Sequence, residues 1–198
     1  MTQRRCLYVV TSSLLWSAQK ILSEKLSLLF GNFEIIEIQP FDLKASQEFV
    51  RFQLQGLRMS EQLTHFLIDF TGGQPLYLTL VCEKLRALCS AHKQFEVFLP
   101  LLSIAMEDIL NERWGVLSRH FDLVVERIAS GKGNVIVSRI LLSLAGGRQK
   151  VIELSADLNL KQSAVTAKVN RLLYLCIVSK YGNYFYLPDR LFKYWLKF

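Results

Sequence analysis

The chain has 198 residues, 51% of them hydrophobic and 21% charged, a composition that excludes a disordered or low-complexity polypeptide. Its formal charge of +7 is unevenly placed. From Gly131 onward eleven Lys or Arg stand against three Asp or Glu, whereas residues 1–130 hold thirteen bases and fourteen acids. The last third alone is therefore suited to a polyanionic partner.

In chain order, Leu7 to Val10 is a fully apolar run ending in Thr11, Ser12 and Ser13, the pattern of a buried strand in a parallel sheet. Leu14 to Phe30 carries apolar residues at helical spacing, Gly31-Asn32 stops it, and Ile35, Ile36 and Ile38 form a second short strand closed by Pro40. Two strands leave open edges, so residues 1–42 read as the end of a larger domain, and a second copy of the chain is one partner that could pair with them. Residues 43–130 then turn helical: Leu43 to Gln55, a second helix after a Ser60 cap, and a third to about Ser90 that follows the sharp turn Thr71-Gly72-Gly73-Gln74-Pro75. Taken alone, that turn is a tight connection between helices. Further helices fit Phe95 to Asn111 and Trp114 to Ala129, and Ser130-Gly131-Lys132-Gly133-Asn134 is a linker that coincides with the change in charge.

Residues 131–198 read as a winged helix-turn-helix. Val135 to Leu144 and Lys150 to Leu158 are its first two helices, Asn159 tolerates the left-handed backbone of the turn, and Leu160 plugs it. In the third, Lys161 to Leu175, the residues Val165, Val169, Leu172 and Leu173 make an inward stripe. That leaves Lys161, Gln162, Ser163, Thr166, Lys168, Asn170 and Arg171 to reach phosphates and base edges. Two β-prone runs around Tyr181-Gly182-Asn183 form a hairpin, the wing, with Lys180 and Tyr181 at its tip. Asp189 caps a last helix that turns Leu191, Phe192, Trp195 and Leu196 inward. The fold class expected is thus mainly α with a little β: a partial strand-helix-strand unit, a helical bundle and a winged helix-turn-helix domain. DNA is the expected partner, and the alternative is a protein-docking or autoinhibitory module with no nucleic-acid contact.

No run of about eighteen apolar residues occurs, and Arg4-Arg5 precede too short an apolar stretch for a secretory signal, so a cytoplasmic protein with no membrane partner is expected. Cys6, Cys82, Cys89 and Cys176 lack the paired spacing of a zinc or redox motif and read as small core residues. His65, His92 and His120 are isolated, which argues against a metal site.

Both halves together resemble the bacterial and archaeal ATPases of the AAA+ and STAND group that end in a winged helix. Tyr186-Leu187-Pro188-Asp189-Arg190-Leu191-Phe192-Lys193-Tyr194-Trp195-Leu196-Lys197-Phe198 is similar to their closing segment, and Thr71-Gly72-Gly73-Gln74-Pro75-Leu76-Tyr77-Leu78 is similar to their lid turn. Val9 to Ser13 resembles their sensor strand, and Ile36 to Phe41 the strand entering the lid. The resemblance implies a P-loop core remnant over 1–42, a helical lid over 43–130, nucleotide-lid roles for Gly72, Gly73, Gln74 and Pro75, and sensor-like positions at Thr11 and Ser12. Yet no Gly-x-x-x-x-Gly-Lys-Ser/Thr occurs; Gly131-Lys132 is followed by Gly133, and Phe30-Gly31-Asn32 stands where the family often has Tyr-Gly-Arg. The expectation is therefore a C-terminal portion with no catalytic residues and no cofactor of its own, ATP and Mg belonging to the intact family members. Its missing ATPase core would be a partner, and nucleotide would control DNA binding.

Overall fold

A computed structural model describes residues 38–112, 115–129 and 134–197, together with 9, 11, 21–25, 34 and 36. Helix α1 (Leu43–Gln53) begins where the Asp42 carboxylate accepts the Ala45 N–H at 2.7 Å, and α2 (Glu61–Thr71) where the Ser60 hydroxyl accepts that of Leu63 at 3.3 Å. Each cap satisfies a backbone donor that the first turn leaves without a partner. Between them β1 (Arg58–Met59) pairs in parallel with β2 (Glu96–Val97), Arg58 beside Glu96 and Met59 beside Val97. Helix α2 ends on Gly72 at φ +62°, and Pro75 opens α3 (Pro75–Ala91). On α3 the buried residues Tyr77, Leu78, Val81, Cys82, Leu85 and Cys89 recur at steps of one, three and four. That stripe packs on α4 (Leu99–Asn111), whose Leu102 and Ala105 have no exposed surface, and α5 (Val116–Ala129) closes the bundle with Leu117 and Phe121.

The C-terminal unit starts with α6 (Asn134–Gly146), which buries Val137, Ile140, Leu141 and Leu144. Helix α7 (Val151–Leu158) follows and is closed by Asn159 in the left-handed region (φ 52°, ψ 49°), where the Leu160 N–H reaches the Ser155 carbonyl at 3.0 Å. The Arg139 guanidinium donates to the Leu158 carbonyl at 3.0 Å, neutralising an end of α7 that would otherwise carry uncompensated carbonyl charge. Helix α8 (Gln162–Tyr174) leads to the antiparallel pair β3 (Ser179–Tyr181) and β4 (Tyr184–Tyr186). Gln149 adds a third, strand-like edge, giving its N–H to Phe185 at 3.0 Å and taking that residue's N–H at 2.8 Å.

Helix α9 (Arg190–Trp195) fastens the two parts together. Asp189 caps it through the Phe192 N–H at 2.9 Å and takes the Tyr77 hydroxyl of α3 on its other oxygen at 2.7 Å. Arg190 pairs with Asp69 of α2, and the Trp195 indole donates to the Ser118 hydroxyl at 3.4 Å. Phe121 sits at the centre, its ring 6.0 Å from Tyr77, 5.2 Å from Phe192 and 5.5 Å from Trp195. One continuous cluster of buried residues consequently runs from Val50 to Phe192.

Several sequence expectations are corrected. Of the expected N-terminal strands, the described residues Val9, Ile36 and Ile38 lie in irregular backbone at 75, 78 and 92% exposure. At such exposure these three side chains gain little from burial, which is the chief return on an apolar strand. In the helix expected over Leu14–Phe30, the described residues Ile21–Lys25 form a π-helical turn rather than an α-helix. The helix expected from Phe95 begins at Leu99: Pro100, lacking an N–H, fits only the first turn, which frees Glu96–Val97 to pair with β1. Cys176 is exposed rather than part of the core, because it occupies the left-handed position (φ 58°) that ends α8. Cys6, Trp114 and the linker residues 130–133 lie outside the described residues.

Candidate nucleic-acid interface

The inward stripe of α8 is closed: Val165, Val169 and Leu172 are at most 1% exposed. Its helical period turns the intervening positions outward. Gln162, Ser163, Asn170 and Arg171 are exposed, Thr166 and Lys168 are half-buried, and Lys161, the residue before the first turn, is exposed. Thr166 returns its hydroxyl to the Gln162 carbonyl at 2.8 Å within the same helix. Lys180 and Tyr181 are exposed as well, but they lie on β3; Gly182 and Asn183 make the tip, because Tyr181 pairs with Tyr184. These nine residues belong to two consecutive elements of one unit and offer amides, hydroxyls, cations and a phenol.

Residues that sequence reasoning passed over add to this unit. The pairing of Gln149 with Phe185 sets Arg148 beside Tyr186 and Lys150 beside Tyr184. The Arg148 guanidinium lies 5.1 Å from the Tyr186 ring centroid, and the Lys150 ammonium 4.9 Å from that of Tyr184. Lys180 likewise lies over Phe185, its partner in the ladder, at 5.6 Å. The available signal was alternation: Arg-Gln-Lys at 148–150 against Tyr-Phe-Tyr at 184–186.

The lid-like turn stands apart from these elements. Gly72 and Gly73 both have positive φ, +62° and +70°, and a side chain on Gly73 would meet the Phe41 carbonyl oxygen at 2.2 Å. The Phe41 N–H donates to the Gly73 carbonyl at 3.0 Å, so the turn is pinned to the chain entering α1. Gln74 is exposed and Pro75 half-buried. Of the sensor-like pair, Thr11 is exposed in irregular backbone, and Ser12 lies outside the described residues.

Chemistry elsewhere is sparse among the described residues. They include no group of three or more His, Cys, Asp or Glu placed to hold a metal ion. Burial pushes the Cys82 thiol up to about 12 and raises that of Cys89, so both stay protonated near neutrality and are poor nucleophiles. His65 sits 2.6 Å from the Gln47 amide and 3.8 Å from Glu61, a surface cluster on α1 and α2. A cleft of about 670 Å³ between α1, β1 and α2 is lined by Gln47, Arg51 and Arg58 among others, but by none of the sequence-predicted site residues. Among the described residues no helix is long and apolar enough to cross a membrane. No family model matches the chain, and neither a curated protein nor a solved structure matches it significantly.

Proposed function

We propose that residues from Asn134 onward form a winged helix-turn-helix that binds duplex DNA, with α8 as its reading helix and β3–β4 as its wing. One observation carries this reading. The polar face of α8 stays open to solvent in a unit with a surplus of seven cations, ten Lys or Arg against three Asp or Glu, while its apolar face is sealed. Gln162, Ser163 and Asn170 offer hydrogen bonds to base edges, and Lys161, Lys168, Arg171 and Lys180 charge to phosphates. Binding of the whole chain to a duplex, followed by fluorescence anisotropy, should weaken with salt at a log-log slope near 0.9 per phosphate contacted. An affinity indifferent to salt, or no binding at all, overturns the reading.

We also propose that the chain is like the C-terminal part of AAA+ and STAND ATPases, with α1–α5 as the lid and Gly72–Pro75 as its nucleotide-facing turn. What supports it is the short path from that turn to the C-terminal unit: Tyr77, in the first turn of α3, is the residue that bonds Asp189. Lacking Walker residues, the chain alone should turn over no ATP, and steady hydrolysis by the purified protein refutes this. A second reading, a unit that only docks protein, draws on α9. That helix is already engaged by α2, α3 and α5, and it is not the helix that carries the open polar face.

A further inference from the structure

We propose that the outer face of the small sheet, formed by Arg148, Lys150, Tyr184 and Tyr186, is a second contact strip for the phosphodiester backbone of a nucleic acid. It rests on the DNA-binding reading but uses neither α8 nor the hairpin tip. The strip is held in place from below. Gln149 is locked through both backbone bonds to Phe185, its amide oxygen accepts the Ser143 hydroxyl at 2.8 Å, and its amide nitrogen donates to Asp157 at 2.9 Å. Arg148 and Lys150, on either side of Gln149, must then project to the opposite face, where Tyr186 and Tyr184 stand.

A ring positions a cation differently from a carboxylate. Quadrupole attraction orders the long side chain, yet leaves its full charge for a third group. Among the described residues neither Arg148 nor Lys150 stands in an ion pair, and the nearby carboxylates bond other donors. Glu153 accepts the Lys150 backbone N–H at 2.6 Å, Asp157 the Gln149 amide, and Asp189 the Tyr77 hydroxyl and the Phe192 N–H. These are the three acids of the last third. The tyrosines add hydroxyl donors of the kind that contact phosphate oxygens, and Tyr184 is 39% exposed. Two ordered cations, each over its own phenol ring, suit a line of phosphates better than a single small anion, which would need donors converging on one point.

The test compares salt dependence of binding to a random-sequence duplex for the whole chain, the R148Q/K150Q variant and the charge-preserving R148K/K150R variant. R148Q/K150Q should make the log-log slope shallower by about 1.8, two contacts at about 0.9 each, while R148K/K150R keeps the original slope. An R148Q/K150Q slope and affinity equal to those of the parent chain would overturn the strip and leave the reading helix standing. Equal loss in both variants, or a lowered melting temperature in R148Q/K150Q, assigns these residues to the fold instead and also overturns it. If the parent chain binds no duplex, the strip falls together with the DNA-binding reading. Tighter binding to phosphatidylserine vesicles than to duplex at the same salt, abolished by R148Q/K150Q, would hand the face to a lipid surface and refute the proposal.

Discussion

Helices α8 and α9 belong to the same basic unit, and both bury an apolar face, but their polar residues are used in opposite ways. On α9 and at its cap, Asp189, Arg190 and Trp195 each bond a residue of the helical bundle, Tyr77, Asp69 and Ser118 respectively. On α8, Gln162, Ser163, Asn170 and Arg171 stay exposed. Net charge does not separate the two helices, since each carries bases and no acid within its bounds. What separates them is which face meets the bundle. Substitutions on the α9 side should therefore move stability, and those on the α8 side should move binding.

The largest effect is expected at Phe121, whose ring, 1% exposed, touches Tyr77, Phe192 and Trp195. Phe121→Ala should lower unfolding free energy in urea by about 3–5 kcal/mol through lost burial and the cavity left behind. A loss below about 1 kcal/mol would mean that α9 is not anchored there. Tyr77→Phe should cost about 1–3 kcal/mol, because the partly buried Asp189 oxygen loses its donor. It also carries a pH signature. Burial first, and the Asp189 charge second, hold the Tyr77 hydroxyl well above its ordinary 10.0. The unfolded chain releases that proton where the folded chain keeps it, so this contribution is intact below pH 10.0 and is lost as pH rises beyond it. The parent chain should thus lose stability more steeply than Tyr77→Phe in alkaline urea titrations. Parallel curves would show that the hydroxyl is solvated.

A smaller effect is expected at Asn159, whose positive φ lets α7 turn into α8. Asn159→Ala should cost about 1 kcal/mol, and Asn159→Gly should restore or exceed the parent stability, since only the backbone conformation is at issue. Asn159 also shows what could be read in advance. Its left-handed turn, the Ser60 and Asp189 caps and the Pro75 helix start are local backbone requirements, met by residue types a few positions apart, and all were legible. The β1–β2 pairing, the Gln149 edge and the Tyr77–Asp189 bond were not. The last of these joins residues 112 positions apart, and nothing in either local sequence specifies the other. The exposure of the described N-terminal apolar residues has the same root. Apolar runs at Leu7–Val10 and Ile35–Ile38 fix a tendency to be buried but not the surface that would bury them, and the described residues Val9, Ile36 and Ile38 are exposed. At the candidate site the outward residues of α8 followed from helical period alone, whereas the alternation at 148–150 and 184–186 marks two faces without saying that the segments pair, which only the register shows.

The smallest stability effect should come from the helix with the largest predicted role in binding. Lys161→Gln with Arg171→Gln removes two exposed cations. Unfolding free energy should stay within about 0.5 kcal/mol of the parent, as is usual at exposed positions. Duplex affinity should nevertheless fall, with a log-log salt slope shallower by about 1.8 if both residues reach phosphates. Combining these substitutions with Tyr77→Phe sharpens the contrast between α8 and α9. If the α9 contacts serve only to hold the fold, the two effects should add, because the sites share no partner. A tighter or weaker duplex affinity than the sum predicts would mean that the docking of α9 biases the reading helix. The helical bundle would then act on nucleic acid through Tyr77 and Asp189 rather than merely supporting the unit proposed to bind it.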